Sequence, residues 1–330
     1  MKIALIPHTC RIRPDAHGYI KRMYHLAEGL IKKGHQVKIF AREDSVVPQG
    51  VELVKWFKPE KKDLESQHKY VRESILASQD CDIINCQTDH LALPFDKESK
   101  VPILHTIVYG RLEQYIQDEI KKYPQAKFST ISKFLTKKYN FISFQGIVHN
   151  SINVDEFPYK KDKQDYFLYL SRVSPDKNTH LAVKWAIENN LKLKIAGSLD
   201  DQEYFNKKIK PFLNEDIEYL GKLGFEKIEY LQNAQATFSL DQFEGFGNSI
   251  VESLACGTPV IGFNDGSFPE IITHQKDGFI LNSEDDIQKA LESIKKIKTK
   301  NCRKKAEKYF TTDVMVKNYE KLYKKILKNK

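Results

Sequence analysis

Long apolar runs are missing from this 330-residue chain. None approaches the roughly 20 consecutive apolar residues of a membrane-crossing helix, and the amino-terminal MKIALIP has too short an apolar core for a secretory leader. The expected setting is cytoplasmic. Cysteine is scarce as well. Cys10, Cys81, Cys86, Cys256 and Cys302 show neither CxxC nor Cys/His metal spacing, which predicts reduced, packed thiols, no disulfide and no structural zinc. Short repeats, low-complexity tracts and coiled-coil heptads are absent, so a compact architecture is expected. Glycine is lacking where a dinucleotide-binding turn would need it. The segment PHTCRIRPDAHG offers one glycine after the first apolar run, which argues against a dehydrogenase.

What is present is a globular composition, 41% apolar and 29% charged, at a length that suggests two domains. The formal charge is +9, and its placement says more than its size. From Asp286 to Lys330 there are 14 Lys and one Arg against five acids, so the excess belongs to one end. Two readings stay open for it: solvated terminal helices with Lys-rich outer faces, or a patch attracted to anionic acceptors or to anionic lipid on the cytosolic membrane face. RNA-binding aromatic motifs and zinc fingers are missing, so nucleic acid is not an expected partner.

Short runs rich in Val, Ile and aromatics alternate with longer amphipathic stretches almost throughout. KIALIP, QVKIFA, VELVKW, DIINCQ, PILHTI, FSTIS and GIVHN read as strands in the first half, and DYFLYLS, LKLKIAG, IEYLG, ATFSL, PVIGF and FILN in the second. The helix IKRMYHLAEGLIKKG ends at Gly34, a plausible C-terminal cap. This rhythm predicts an α/β chain of two doubly wound, Rossmann-like domains facing across a cleft. The polar stretch from Asn153 to Lys163 is the expected junction. The boundaries then fall at 1–155 for an N-terminal domain and 156–312 for a C-terminal domain, with a helix over about 313–330 returning to the first.

Two segments carry chemistry. In DQFEGFGNSIVESLACGTPVIGF, which follows the strand ATFSL, Glu244 lies in a turn and Glu252 in an early helix that Asn248 or Ser249 would cap. Gly245 and Gly247 permit a tight backbone with outward amides, a place suited to phosphate and sugar hydroxyls. Spacing alone does not separate this from a surface turn whose acids favour a helix start. In the second segment, SRVSPDKN after the strand DYFLYLS, Arg172 and Lys177 are two cations at a sheet's C-terminal edge. The competing reading is a solvated loop in which Asp176 pairs with one of them. One D-x-D, Asp80-Cys81-Asp82, precedes the strand IINCQ rather than following a strand and reads as a strand-start cap, so no metal site is expected.

Taken in order, these segments resemble the retaining glycosyltransferases of family 4, which have the GT-B fold. Glu244 and Glu252 match the family's E-x7-E motif, and EGFGNSIVESLACGTPVIGF resembles its surroundings as far as Ser267-Phe268-Pro269-Glu270-Ile271. SRVSPDKNTHLAV resembles the family's G-R-x-x-P-E-K-G segment, with Ser171 and Asn178 where glycine is usual, and VHNSINVDEF resembles its V-x-N-G-I-D-x-x-x-F segment. The likeness runs nearly the whole length. It departs after the first strand, where the family has a Gly-Gly pair and then a Glu. Here His17-Gly18-Tyr19-Ile20 keeps only Gly18.

The resemblance implies roles residue by residue. Arg172 and Lys177 would hold the donor diphosphate, Glu252 the ribose hydroxyls and Glu244 the donor sugar, whose other hydroxyls would meet the backbone at Phe246, Gly247 and Asn248. Gly18 would approach the diphosphate from the first domain. His105, in ILHTI, stands for the family's catalytic histidine, against the alternative of a satisfied strand-end histidine. His90 is a weaker candidate. The first-domain loops Arg11–His17 and Tyr109–Tyr115 would face the acceptor. The implied reaction is metal-independent and cofactor-free transfer of a hexose-type sugar, with retention, from a nucleotide diphosphate sugar to a hydroxyl acceptor in glycan, glycolipid or small-molecule glycoside synthesis. A UDP-sugar is favoured over GDP-mannose. A sugar-nucleotide epimerase or hydrolase of the same fold, or a non-catalytic sugar-nucleotide-binding protein, are the alternatives.

Overall fold

A computed structural model describes residues 1–330 except 9, 10, 15, 17, 57–62, 329 and 330. His17 and Cys10 thus lie outside the described residues. The chain divides into two compact units, one of residues 1–151 with 312–330 and one of residues 152–311.

In the first unit seven parallel strands, β1 (Lys2–Pro7), β2 (Gln36–Arg42), β3 (Glu52–Trp56), β4 (Ile83–Gln87), β5 (Ile103–Ile107), β6 (Lys127–Thr130) and β7 (Phe144–Ile147), lie in the order β3-β2-β1-β4-β5-β6-β7. The helices are α1 (Gly18–Lys32), α2 (Leu64–Leu76), α3 (Gln114–Lys121) and α4 (Lys133–Lys138). In β1, β4 and β5 nearly every residue is buried, because a parallel sheet covered on both faces needs continuous apolar runs rather than alternation. The cysteines Cys81 and Cys86 sit here as separate buried thiols, and burial pushes both thiol pKa values up, to about 11 and about 12. The D-x-D carboxylates are occupied. Asp82 accepts from the Lys2 amide at 2.7 Å, and Asp80 takes the ammonium groups of Lys2 and Lys38.

The second unit repeats the pattern with β8 (Phe167–Leu170), β9 (Leu193–Ala196), β10 (Ile217–Tyr219), β11 (Ala236–Ser239), β12 (Val260–Phe263) and β13 (Gly278–Leu281) in the order β10-β9-β8-β11-β12-β13, all parallel. Its helices are α5 (Thr179–Glu188), α6 (Gln202–Lys208), α7 (Lys227–Asn233), α8 (Asn248–Ala255), α9 (Phe268–Ile271), α10 (Ile287–Ser293) and α11 (Thr299–Tyr309). In both sheets the order reverses between the first and fourth strands, which leaves a crevice beyond their C-terminal ends where ligands of doubly wound folds bind.

The polar stretch read as a junction is fastened to the second unit. Lys160 donates to Asn233 Oδ1 at 2.6 Å, and Lys163 Nζ donates to the Gln232 and Cys256 carbonyls and to Thr258 Oγ1 at 2.7–3.1 Å. Ile152 already belongs there, its amide donating to the Phe310 carbonyl at 2.9 Å. The last helix, α12 (Thr312–Lys328), belongs to the first unit. Met315, Val316, Tyr319, Leu322, Tyr323 and Ile326 form its buried stripe, packed on α1 and β1 residues such as Leu26, Leu30 and Leu5. Val316 explains Gly29: a Cβ there would lie 2.5 Å from Val316 Cγ2. Tyr323 is fully buried and its hydroxyl accepts from Asn85 Nδ2 at 2.6 Å.

That contact can be tested. Tyr323→Phe, which leaves Asn85 without this partner, should lower unfolding free energy by about 1–3 kcal/mol, and Tyr323→Ala by about 3–5 kcal/mol. Urea titration reads both. An unchanged midpoint for Tyr323→Ala would mean that α12 is not packed into this unit.

Candidate functional site

The second unit's crevice is built by two loops, Ser171–Asn178 after β8 and Leu240–Gly247 after β11. The first loop leaves the sheet where Gly197 lets it pass, since a Cβ on Gly197 would sit 1.7 Å from the Ser171 carbonyl. It ends at Asn178, which adopts φ +52°, the left-handed conformation that Asn tolerates best after Gly. Asn at a usual glycine position therefore keeps the turn. It also adds a tie, for Asn178 Nδ2 donates to the Leu240 carbonyl at 2.9 Å. The Gln242 amide donates to the Asp176 carbonyl at 3.2 Å, and the Tyr169 hydroxyl to the Lys177 carbonyl at 2.6 Å.

These ties bring Lys177 to the second loop, where its Nζ donates to Asp241 Oδ2 and Glu244 Oε2, each at 3.1 Å. All three side chains are largely enclosed, with Lys177 12%, Asp241 8% and Glu244 28% exposed. Burial opposes the charge on Lys177, but the two carboxylates outweigh it and hold its pKa above the ordinary value. Burial pushes the Asp241 carboxyl up to about 7, with Lys177 pulling it down and Glu244 adding to the rise. Glu244 is held below the usual carboxylate range: burial opposes its charge, while Lys177, the Asp241 carboxyl and the Phe246 amide favour it. The pair thus shares a proton unequally near neutral pH, as two close carboxyls must.

Glu244 is fixed from several sides. Its Oε1 accepts from the amides of Gly247 at 3.2 Å and Phe246 at 3.4 Å, and its carbonyl accepts from Ser267 N at 3.0 Å. Gly266 must be glycine, because at φ +58° a Cβ would lie 2.7 Å from the Glu244 carbonyl. Phe246 is buried against Phe310 with ring centres 5.8 Å apart, which anchors the turn. The helix α8 begins at Asn248 rather than being capped by Asn248 or Ser249. Its cap position is Gly247, left-handed at φ +78°. Glu244 thus holds the two amides just before the helix, and no side chain caps its first turn.

Arg172 and Glu252 stand apart from this trio. Arg172 is half exposed and reaches Asp200 at 2.6 Å and Asp176 at 3.4 Å. Glu252 accepts from Lys227 Nζ of α7 at 2.6 Å, both side chains nearly enclosed. To meet a diphosphate or a ribose these two must exchange a protein partner for the ligand. Gly18 opens α1 in the first unit at φ +57° with open space around it, while Ile20, where the family has Glu, packs against the apolar core.

His105, matched to the family's catalytic histidine, is not on an open surface in this structure. It lies within β5, wholly buried, with Nε2 2.8 Å from Asp96 Oδ1 and its ring beside Phe128. Its Nδ1 is buried without a hydrogen-bond partner, and in this arrangement the side chain presents no surface to a substrate. Sequence reasoning also missed Asp241. Its position directly after a strand, three residues before Glu244, was the signal that could have found it.

Residues 152–311 match the family model described as glycosyl transferases group 1, and these are the residues of the second unit. The match covers the whole of that unit and just under half of the chain. Over 175 residues the chain is 29% identical to the O-antigen chain mannosyltransferase RfbU of Salmonella typhimurium, covering 51% of this chain and 48% of RfbU. The match thus spans about half the length of that curated relative. Sucrose-phosphate synthase from Thermosynechococcus elongatus superposes with a TM-score of 0.80 at 16% identity, covering 100% of both chains. Anabaena HepE in complex with UDP gives 0.76 at 14% identity, covering 98% of this chain and 100% of HepE. At such identities these structures establish the two-domain GT-B fold, and the group 1 unit carries the Lys177 site within it.

The shared proton gives a pH prediction. Asp241 loses its proton near pH 7, adding negative charge beside Lys177, so binding of a sugar nucleotide, whose diphosphate does not itself titrate there, should weaken as pH rises above 7. The limit is about tenfold per pH unit for one linked proton. Asp241→Asn should flatten the dependence in calorimetric titration between pH 6 and 8. A wild-type affinity flat over that range would contradict the assignment.

Proposed function

We propose that the chain is a retaining, metal-independent glycosyltransferase of family 4, moving a hexose-type sugar from a nucleotide diphosphate sugar to a hydroxyl acceptor. The observation that carries this reading is Lys177, held by Asp241 and Glu244 at the switch point of a group 1 unit. A buried cation at the end of β8 suits a diphosphate. Arg172, exposed on the same loop, adds a planar donor set that can exchange Asp200 for phosphate oxygens. Two fixed cations supply the charge that a leaving diphosphate needs, so catalysis rests on positioning and electrostatics without a divalent ion. Glu244, already bonded to the amides of its own turn, presents a carboxylate to sugar hydroxyls. HepE was solved with UDP, which favours a UDP-sugar as donor here; the likeness to a mannosyltransferase keeps GDP-mannose second.

The acceptor is a hydroxyl compound of glycan, glycolipid or small-molecule glycoside synthesis, handled at the cytosolic side. The Lys-rich end supports peripheral contact with anionic lipid. Lys317, Lys321, Lys324, Lys325 and Lys328 are exposed on α12, opposite its buried stripe. Liposome co-sedimentation should then require anionic lipid and fall with salt.

A thermal-shift screen over UDP-, GDP-, ADP- and TDP-sugars should identify the donor, because ligand affinity raises apparent stability. With that donor, Lys177→Ala and Glu244→Ala should each lower turnover by at least about 10²-fold while keeping the fold. Donor loss at the same rate with and without every acceptor offered would favour a hydrolase or epimerase, and near-normal turnover in either variant would remove the role given to that residue.

A further inference from the structure

The second sheet has two ends, and the one opposite Lys177 is hollow. At its N-terminal edge Asp165, Gln235 and Pro259 lie just ahead of β8, β11 and β12, and a cavity of about 530 Å³ opens there, lined by residues of the second unit alone. That volume is in the range of small-ligand sites. Lys163 lines it as a half-buried ammonium with an unusual set of partners. Its three protons go to the Gln232 and Cys256 carbonyls and to Thr258 Oγ1, all neutral, and it pairs with no carboxylate among the described residues. A buried charge is ordinarily paired, because attraction to a counter-charge offsets part of the hydration it has lost. Here that offset is missing, and burial pushes the pKa of the ammonium down to about 8.

The acids in the lining do not supply the missing charge. Asp165 turns outward, its side chain 82% exposed, and lies 3.8 Å from Lys295, itself 74% exposed. Asp162 is exposed as well. Lys161 adds a further exposed cation that pairs with no acid among the described residues. The cavity therefore has one enclosed cation and two at its rim. Lysines present compact point charges rather than the planar fork with which arginine grips a carboxylate, and point charges suit a phosphate. Gln164, Gln235 and Thr299 add donors and acceptors for hydroxyls. None of the exposed large apolar side chains lies in the lining, which separates this cavity from a lipid-contacting face.

We propose that this cavity binds a small phosphorylated sugar, its phosphate facing Lys163, Lys161 and Lys295 and its hydroxyls meeting Gln164, Gln235 and Thr299. The bound phosphate gives Lys163 the counter-charge that the protein withholds. No step of the transferase reading uses this end of the sheet, so the site is a second one on the same unit and stands or falls independently of that reading.

The test measures binding by calorimetry on the full chain and on Lys177→Ala, with ribose 5-phosphate and glucose 1-phosphate as probes, sulfate as a bare anion and methyl glucoside as an uncharged sugar. At least one phosphorylated probe should bind both proteins alike, with Kd below about 1 mM. Sulfate should bind at least about tenfold more weakly, since it lacks the hydroxyl hydrogen bonds, and methyl glucoside should not bind. Reversing both rim charges, Lys161→Glu with Lys295→Glu, should weaken the probe by about tenfold or more at unchanged melting temperature of the free protein. Lys163→Met, which keeps the length and removes the charge, should weaken it by a similar factor; if that variant does not fold, the rim pair still decides. Four results would each overturn the proposal: no probe bound by the wild type, sulfate bound as tightly as the sugar phosphates, binding that disappears in Lys177→Ala, or binding unmoved by the rim reversal. None of them alters what turnover of a sugar nucleotide says about Lys177.

Discussion

The second unit's site depends on one ammonium group held between two carboxylates. Lys177 is too enclosed to be solvated well, and an unpaired buried cation is costly, so the loop that carries it is secure only while Asp241 and Glu244 face it. Those acids lie on the loop after β11. The ion cluster is therefore what joins the two loops, reinforced by Asn178 to Leu240 and Gln242 to Asp176. Removing one acid leaves a compensated pair; removing the lysine leaves two close carboxyls with nothing between them. Asp241 already holds its proton to about pH 7, which shows how near the cluster stands to an excess of negative charge. An incoming diphosphate would compete with these carboxylates for the same ammonium, and the easiest accommodation is for Asp241 to stay protonated.

Much of the fold was legible because parallel strands buried on both faces appear as bare apolar runs. Each of the thirteen strands among the described residues overlaps a segment that composition picks out, from KIALIP to FILN, although β7 shares only Gly146 and Ile147 with GIVHN, and the reversal of order then follows from a crossover topology common to such sheets. Ends were less legible. GIVHN was read as a strand, but pairing with β6 stops at Ile147, where the chain turns away. The cap of α8 fell on Gly247, whose left-handed backbone turns the chain into the helix while Glu244 holds the amides just before it. The two compact units divide at 151/152, just before the polar stretch from Asn153, and Lys160 and Lys163 of that stretch donate to acceptors of the second unit.

The residues of the donor-side cluster were half legible. Lys177 and Glu244 lie in recognisable segments, 67 residues apart. Asp241 does not match the resemblance that singled them out, and only folding shows that it shares their partner. For His105 the sequence did not show the burial. Its place in the strand ILHTI suggested an end facing ligand, but in a sheet covered on both sides a strand residue can face a layer of protein, and Asp96 was there to receive it. Residue type and order fix what a side chain can do; whether it meets solvent depends on which layer covers it.

The same strand order in both units places the residues after the first and fourth strands at equivalent positions, yet the chemistry installed there differs in sign. After β8 and β11 stands a cation trimmed by carboxylates, suited to an anionic diphosphate. After β1 and β4 stands an imidazole, that of His8, 3.2 Å from the buried carboxylate of Asp89. A dinucleotide-binding sheet would put glycine and helix amides at that second position, and the first unit instead puts a strained aspartate there. Duplicated topology supplies two crevices, and the side chains at their edges give each a chemistry of its own.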